Sequence, residues 1–177
     1  MKPTNLRAKL CRELVQSELD AVIHTAHEAR RLGDAPPAEV MRMISEHARV
    51  VHPRLLELAG DQPIGVAMGY AVGALFSFVR QIAIDRIIRV ERSYRGTVLG
   101  LKHGVDVARM LQRVAIEDGE LDLARWCERV IAERQWLIEC AESTFGWFVG
   151  HREVATRSGL ALTFRGIAAE PAQFDQA

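Results

Sequence analysis

Four segments with helical periodicity each carry an ionisable side chain within an apolar stripe. Glu18, His47, His103 and Glu133 have apolar neighbours at offsets of three, four or seven residues, and Asp106 follows His103 by one turn. Because residues at these offsets share one face of an α-helix, the spacing predicts that the side chains point into a common core. Helical bundles build metal sites from such inward carboxylates and imidazoles. The alternative is a network of ion pairs and hydrogen-bonded histidines. The sequence favours this alternative over a metal site, because buried polar groups need partners.

A second cluster with the spacing of metal ligands lies in the sequence HTAHE. It contains His24, His27 and Glu28, which stand at the edge of the apolar stripe. That position favours a solvated helix face over a metal site. The sequence contains no G-x-S-x-G motif, no P-loop and no strand followed by G-x-G-x-x-G, so no catalytic motif assigns the chain to an enzyme class.

The elements that would position these residues are predicted to be helices, because the sequence has no sustained period-two alternation and no hairpin signal. The predicted helices run from Thr4 or Asn5 to Leu32, from Pro37 to Ala59, from Ile64 to the RSYRGT segment, from Thr97 to Gly119 and from Leu121 to Val149. This pattern predicts an all-α bundle of about five helices over residues 1–158, with a C-terminal arm at residues 159–177.

A corner between two helices is expected near Gly96, because one helix from Ile64 to Asp118 would be roughly 80 Å long. A compact domain of this size is about half as wide. Arg95, Gly96 and the N-capping Thr97 could then present helix N-terminal amides to an anion. The alternative, which the sequence favours, is an ordinary corner with glycine at the bend.

The stretch IGVAMGYAVGALFSFV, residues 64–79, contains no charged side chain. It is shorter than the roughly 20 apolar residues of a membrane helix. Its glycines recur every four residues and would let another helix approach closely. We therefore expect an extra buried helix and no membrane segment. A pocket for a small apolar ligand could also lie between this helix and the helix from Leu121, lined by Phe76, Phe78, Trp126 and Trp136.

The composition points to a cytoplasmic protein without nucleic-acid partners. Lys+Arg and Asp+Glu both total 23, so no net field attracts nucleic acid or anionic lipid. The three cysteines form no even disulfide framework, and the N-terminus lacks the apolar core of a secretory signal. The apolar helix has more faces than its partners could cover. A homodimer is therefore expected, with that helix or the helix from Leu121 at the interface.

Residues 103–142 resemble the second helical pair of ferritin-like four-helix bundles, and most of all the small bacterial ferritin-like proteins linked to stress responses. The similar features are HGVDVARMLQRVA, a Glu-Asp-Gly-Glu turn and LARWCERVIAERQWLIECAE. The resemblance implies that His103 and Asp106 match the inward residues of one helix and Glu133 the inward glutamate of the next. Glu18 would be the carboxylate of the first helical pair.

The resemblance also implies iron, zinc or another transition metal as the cofactor, but the ligand pattern is incomplete. Di-iron members carry Glu-x-x-His on two helices, whereas Ala21 and Trp136 stand three residues after Glu18 and Glu133. The sequence therefore predicts at most a degenerate or single-metal site. This departure favours a non-enzymatic interaction or stress-associated module without a cofactor. The alternatives are a metal-binding oxidoreductase and a binder of a small apolar ligand.

Overall fold

The described residues of the computed structural model, 5–59 and 89–158, form six helices. The helices are α1 (Asn5–Leu32), α2 (Pro36–Ala59), α3 (Val90–Glu117), α4 (Leu121–Ser143), α5 (Phe145–Gly150) and α6 (Arg152–Ala155). Among these residues the only extended pairing is one isolated antiparallel bridge between Arg89 and Ser158. The predicted all-α helical bundle is confirmed.

Two glycines in the left-handed backbone region form the turns of the two helical hairpins. Gly33 has φ +63° and follows α1, and Gly119 has φ +78° and lies between α3 and α4. Glycine takes this conformation without the steric cost that a Cβ imposes. The start of α2 at Pro36 is favourable, since the first helical N–H groups have no partner within the helix. The predicted bounds of α1 and α2 are confirmed to within a residue.

The predicted corner near Gly96 is wrong, because α3 runs without a break from Val90 to Glu117. The backbone N–H of Val90 donates to the carbonyl of Arg157 at 3.1 Å, so this helix begins at Val90. The prediction treated the periodicity from Ile64 to Glu91 as one helix, which pushed the break too far along the chain. The last long helix is shorter than predicted, because α4 ends at Ser143 and the separate turn α5 follows.

The four long helices are arranged in the order up, down, down, up. Arg7 near the start of α1 bonds Glu120 just beyond the end of α3, at 2.8 Å. Near the other end, Glu28 of α1 accepts a hydrogen bond from Ser93 of α3. α1 and α3 are therefore antiparallel neighbours. Because α1–α2 and α3–α4 are hairpins, α2 and α4 are antiparallel neighbours as well.

The core lies between these four helices and consists mainly of aliphatic side chains. Leu14, Met41, Ile44, Leu55 and Leu111 are each at most 1% exposed. Burying one such side chain stabilises the fold by about 1.5–3 kcal/mol. None of the helices formed by residues 5–59 and 89–158 has the length and apolar character needed to cross a membrane. The apolar stretch at 64–79, with its glycine row, lies outside the described residues.

Candidate functional site

Three of the five predicted inward residues meet near the middle of the bundle, around an arginine that the sequence-based prediction did not include. Arg134 Nη2 donates hydrogen bonds to Glu18 Oε2 at 2.7 Å and to His47 Nδ1 at 3.0 Å. His47 Nε2 lies 2.9 Å from Glu133 Oε2. These contacts join α1, α2 and α4 in one chain of hydrogen bonds, which we call the central network: Glu18, Arg134, His47 and Glu133.

The central network extends from the core to the surface along the seam between α2 and α4. Glu18 and Arg134 each have 4% of the side chain exposed, whereas the exposed fractions are 15% for His47 and 47% for Glu133. The inner pair is therefore shielded from water and the outer pair is partly solvated. A buried ion pair offsets its desolvation cost only with good geometry and further hydrogen bonds. His47 Nδ1 accepts such a further hydrogen bond from Arg134.

The hydrogen-bond partners determine where His47 carries its proton. A guanidinium can only donate, so Arg134 requires Nδ1 of His47 to accept. The neutral imidazole then has its proton on Nε2 and donates it to the Glu133 carboxylate. This assignment follows from the network and gives each of these contacts a donor and an acceptor. Arg134 is a permanent cation and does not act as a proton carrier.

Arg134 also determines what the central network can bind. One nitrogen, Nη2, contacts both Glu18 and His47, so the guanidinium lies where an ion bridging these two residues would sit. Its positive charge balances the Glu18 carboxylate, which is what a metal ion would do there. Within residues 5–59 and 89–158, no group of three or more His, Cys, Asp or Glu side chains is arranged to hold a metal.

The predicted inward orientation of His103 and Asp106 is wrong, and Glu133, although it belongs to the central network, also lies at the surface with 47% of its side chain exposed. The side chains of His103 and Asp106 are 64% and 68% exposed, and His103 Nε2 lies 3.2 Å from a carboxylate oxygen of Glu13. The prediction counted Leu99 and Met110 as core residues around His103, but they are 68% and 52% exposed. The buried stripe of α3 is on the other side of the helix and includes Val98, Leu101, Val105, Ala108 and Leu111.

The predicted anion site at Arg95, Gly96 and Thr97 is overturned by the continuity of α3. All three residues lie inside this helix, so their backbone amides take part in helical hydrogen bonds and no helix N-terminus is present there. Arg95 forms an ion pair with Glu91, one turn earlier in the same helix. Without free backbone amides, these three residues cannot bind an anion in the way that was predicted.

The two described members of the predicted apolar pocket do not share an environment. Trp126 is 3% exposed and belongs to the core, whereas Trp136 is 55% exposed. Phe76 and Phe78 lie outside the described residues. Trp126 therefore contributes to packing, and Trp136 contributes to the outer surface of α4.

Glu28 of the HTAHE cluster is buried, contrary to the solvated position expected from the sequence. It is 2% exposed and accepts hydrogen bonds from Ser93 Oγ and from Arg31 Nη1, the latter at 3.0 Å. Burial raises the pKa of the adjacent Tyr94 to about 12; its hydrogen bond with Thr144 opposes this shift and the Glu28 charge adds to it. His24 and His27 are partly exposed. This cluster joins the end of α1 to the start of α3.

A signal for Arg134 was present in the sequence. The residues at offsets of three, four and seven from Arg134 are all apolar and all buried: Cys127, Val130, Ile131, Leu137, Ile138 and Ala141. Arg134 therefore interrupts the apolar stripe of α4 more fully than Glu133 does. The sequence-based search considered only carboxylates and histidines as metal ligands and passed over this residue.

The geometry of the central network has to be interpreted without the help of relatives. Comparisons with protein-family models, curated proteins and solved structures give no match for this chain. The ferritin-like relationship suggested by residues 103–142 therefore stays a prediction. Any functional assignment depends on the contacts of the chain's own residues.

Proposed function

We propose that this protein is a non-enzymatic helical module of the cytoplasm that acts by binding other protein chains, a second copy of itself included. The observation that carries this proposal is the position of Arg134. It engages Glu18 and His47, the residues best placed for chemistry in the core, in an ion-pair network. The central network therefore holds three helices together, and binding of other chains would take place on the outer surface of the bundle.

The outer surface of the described helices supports an interaction role. Large apolar side chains are exposed on each of α2, α3 and α4, including Val50, Leu99 and Trp136 at 68%, 68% and 55%. Tryptophan is enriched at protein interfaces and among the residues that dominate their binding energy. The equal totals of 23 basic and 23 acidic residues favour protein partners over nucleic acid.

The ferritin-like relationship and the association with stress responses belong to this proposal. The two hairpins are joined by one long connection that includes residues 60–88. Ferritin-like bundles also have one long crossover. In a bundle related to them, the Arg134 guanidinium would replace the metal ion as the central cation. The protein would then keep the architecture of that class without its redox chemistry.

A metal-binding oxidoreductase is the second candidate, because three residues of ligand type do converge. Glu18, His47 and Glu133 come from α1, α2 and α4; His47 bonds Glu133 directly, and Glu18 is linked to His47 through Arg134. Metal binding there would require Arg134 to leave the space between Glu18 and His47. Because of this requirement, the oxidoreductase is a weaker candidate than the non-enzymatic module.

Metal loading of the purified protein separates the two candidates. The protein is incubated aerobically with ferrous iron or with zinc and desalted, and its metal content and thermal melting are measured with and without chelator. We expect no retained metal and no effect of chelator. Stoichiometric metal that is lost in Glu18→Gln but kept in the exposed control His103→Gln would establish a metal site at Glu18 and overturn the ion-pair assignment; oxidation of bound ferrous iron in air would then be needed for the oxidoreductase candidate. For self-association, light scattering that gives only the 19.8 kDa monomer at high concentration would contradict the proposal.

A further inference from the structure

The outer face of α2 carries a regular series of charges of alternating sign. Glu39, Arg42, Glu46 and Arg49 follow one another at offsets of three and four residues, and all four are exposed. Glu39 and Arg42 pair along the helix at 3.0 Å. Within residues 5–59 and 89–158, neither Glu46 nor Arg49 makes an ion pair. Two charges on this face are therefore available to a partner.

This series is complementary to itself when it is reversed about Ile44. Reversal brings Glu39 opposite Arg49 and Arg42 opposite Glu46, so each charge meets the opposite sign. Two copies of α2 packed antiparallel about a two-fold axis at this position would form four such pairs. A parallel arrangement would instead place each charge against its own copy, which is unfavourable.

The same face forms one wall of an open groove between the end of α1 and the first half of α2. All four charges line this groove. The other side is lined by three small residues, Ala26, Ala29 and Gly33, and by the charged Arg30 and Asp34, so another helix could approach closely only over the small residues. Two apolar side chains lie on the same outer face of α2, Met43 at 37% and Val50 at 68% exposed. The groove offers area for burial beside the charges.

We propose that the outer face of α2 is the surface through which two copies of this chain associate, antiparallel about a two-fold axis near Ile44. This inference rests on the self-association in the proposed function and names its surface. It differs from the interface expected from the sequence, at the apolar segment or the helix from Leu121. Exposed ion pairs are individually weak, so the charges set orientation and register while burial in the groove provides affinity.

Charge reversal with rescue tests this surface. The dimer dissociation constant of the full chain is measured by sedimentation equilibrium for wild type, Glu39→Arg, Arg49→Glu and the double variant. By symmetry each single reversal creates two like-charge contacts, and we expect it to weaken the dimer by about tenfold or more. The double variant restores both contacts and should return to within about threefold of wild type. Asp106→Arg and Arg109→Glu, which reverse an exposed pair on α3, serve as controls and should change nothing.

Each other outcome counts against a specific part of the inference. A wild-type dimer that both single variants leave intact would overturn the α2 surface but leave self-association in place. Single variants that dissociate without rescue in the double variant would overturn the antiparallel register. A monomeric wild type would overturn this inference together with the self-association proposed above. Thermal melting of every variant excludes loss of the fold as the cause of dissociation.

Discussion

The guanidinium of Arg134 and the carboxylate of Glu18 form an ion pair inside the bundle, with Nη2 and Oε2 2.7 Å apart and 4% of each side chain exposed. The two residues come from α4 and α1, which the chain order separates by the whole of α2 and α3. An ion pair between such distant segments is satisfied only when both hairpins are correctly packed. It thereby adds specificity to a core whose other contacts are mostly apolar.

Removing one member of this pair should be far more damaging than removing both. Arg134→Met leaves the Glu18 carboxylate buried without its cation, and we expect a loss of about 3–5 kcal/mol in the free energy of unfolding. The double variant Glu18→Leu/Arg134→Met should be within about 2 kcal/mol of wild type, since no uncompensated charge remains. Denaturant unfolding of wild type, Glu18→Leu, Arg134→Met and the double variant completes this double-mutant cycle.

The exposed pair of Asp106 and Arg109 provides a matched control for that cycle, because the side chains are 68% and 45% exposed. Breaking it with Arg109→Met should cost at most about 1 kcal/mol. If the losses from Glu18→Leu and Arg134→Met simply add in the double variant, the two residues are not coupled and the ion pair is not a structural unit.

The two histidines with opposite hydrogen-bond environments should adopt opposite tautomers. His47 accepts from Arg134 at Nδ1 and should carry its proton on Nε2. His151 faces the Trp147 carbonyl with Nδ1 at 2.8 Å, and a carbonyl can only accept, so its proton should be on Nδ1. Nitrogen-15 chemical shifts of the imidazoles at neutral to mildly alkaline pH distinguish the two forms. A proton on Nδ1 of His47 would mean that the central network is not formed in solution, whatever the tautomer of His151.

Tyr94 should make the stability of the protein sensitive to alkali. Burial raises its pKa from 10.0 to about 12, so the unfolded chain loses this proton at lower pH than the folded protein does. The contribution of Tyr94 is therefore complete below about pH 10 and is lost as the pH rises towards about 12, by roughly 2–3 kcal/mol in total. Tyr94→Phe should remove this part of the pH dependence. If the free energy of unfolding falls by the same amount in wild type and Tyr94→Phe across that pH interval, the assignment is contradicted.

Two glycines one turn apart on α3 should respond differently to the same substitution. A Cβ at Gly104 would overlap Ser17 Oγ on α1, whereas a Cβ at Gly100 would meet no atom of the described residues within 4 Å. We expect Gly100→Ala to stabilise the protein by roughly 1 kcal/mol through helix propensity. Gly104→Ala should stabilise the protein less, because the Ser17 hydroxyl has to rotate away from the new methyl group. Thermal melting that shows equal stabilisation by both would mean that α1 and α3 are further apart here.

The ends of helices were predictable where local chemistry decides them. Which face of a helix is buried was harder to predict. Gly33 and Gly119 end helices because glycine readily takes positive φ, and this can be read from the residue alone. Gly96 carries the same local signal but lies inside α3, on an exposed face with room around it. Pro36 and Pro37 closely follow Gly33, whereas no proline closely follows Gly96; the start of α3 lies instead at Val90, whose N–H bonds the carbonyl of Arg157, far along the chain.

The candidate site was predicted only in part, because apolar spacing along a helix indicates the buried face but does not fix it. Glu18 and His47 are surrounded by apolar residues on both sides of the helical stripe, so their orientation followed from the pattern. His103 has Leu99 and Met110 as apolar neighbours, but both are exposed, and an exposed apolar residue has the same identity as a buried one. Glu133 shows the limit from the other side, because its neighbours Val130 and Leu137 are buried and yet its side chain is 47% exposed.

The contact between Arg89 and Ser158 has a consequence for the order in which the protein can form. In the first turn of α3 the N–H of Val90 donates a hydrogen bond to the carbonyl of Arg157, beside the bridge of Arg89 with Ser158. During synthesis on the ribosome, α3 emerges well before these residues. The hairpin of α1 and α2 can assemble early, but the start of α3 stays incompletely bonded until the chain has emerged through Ser158. Maturation of this end of the bundle is therefore a late event in the life of the nascent chain.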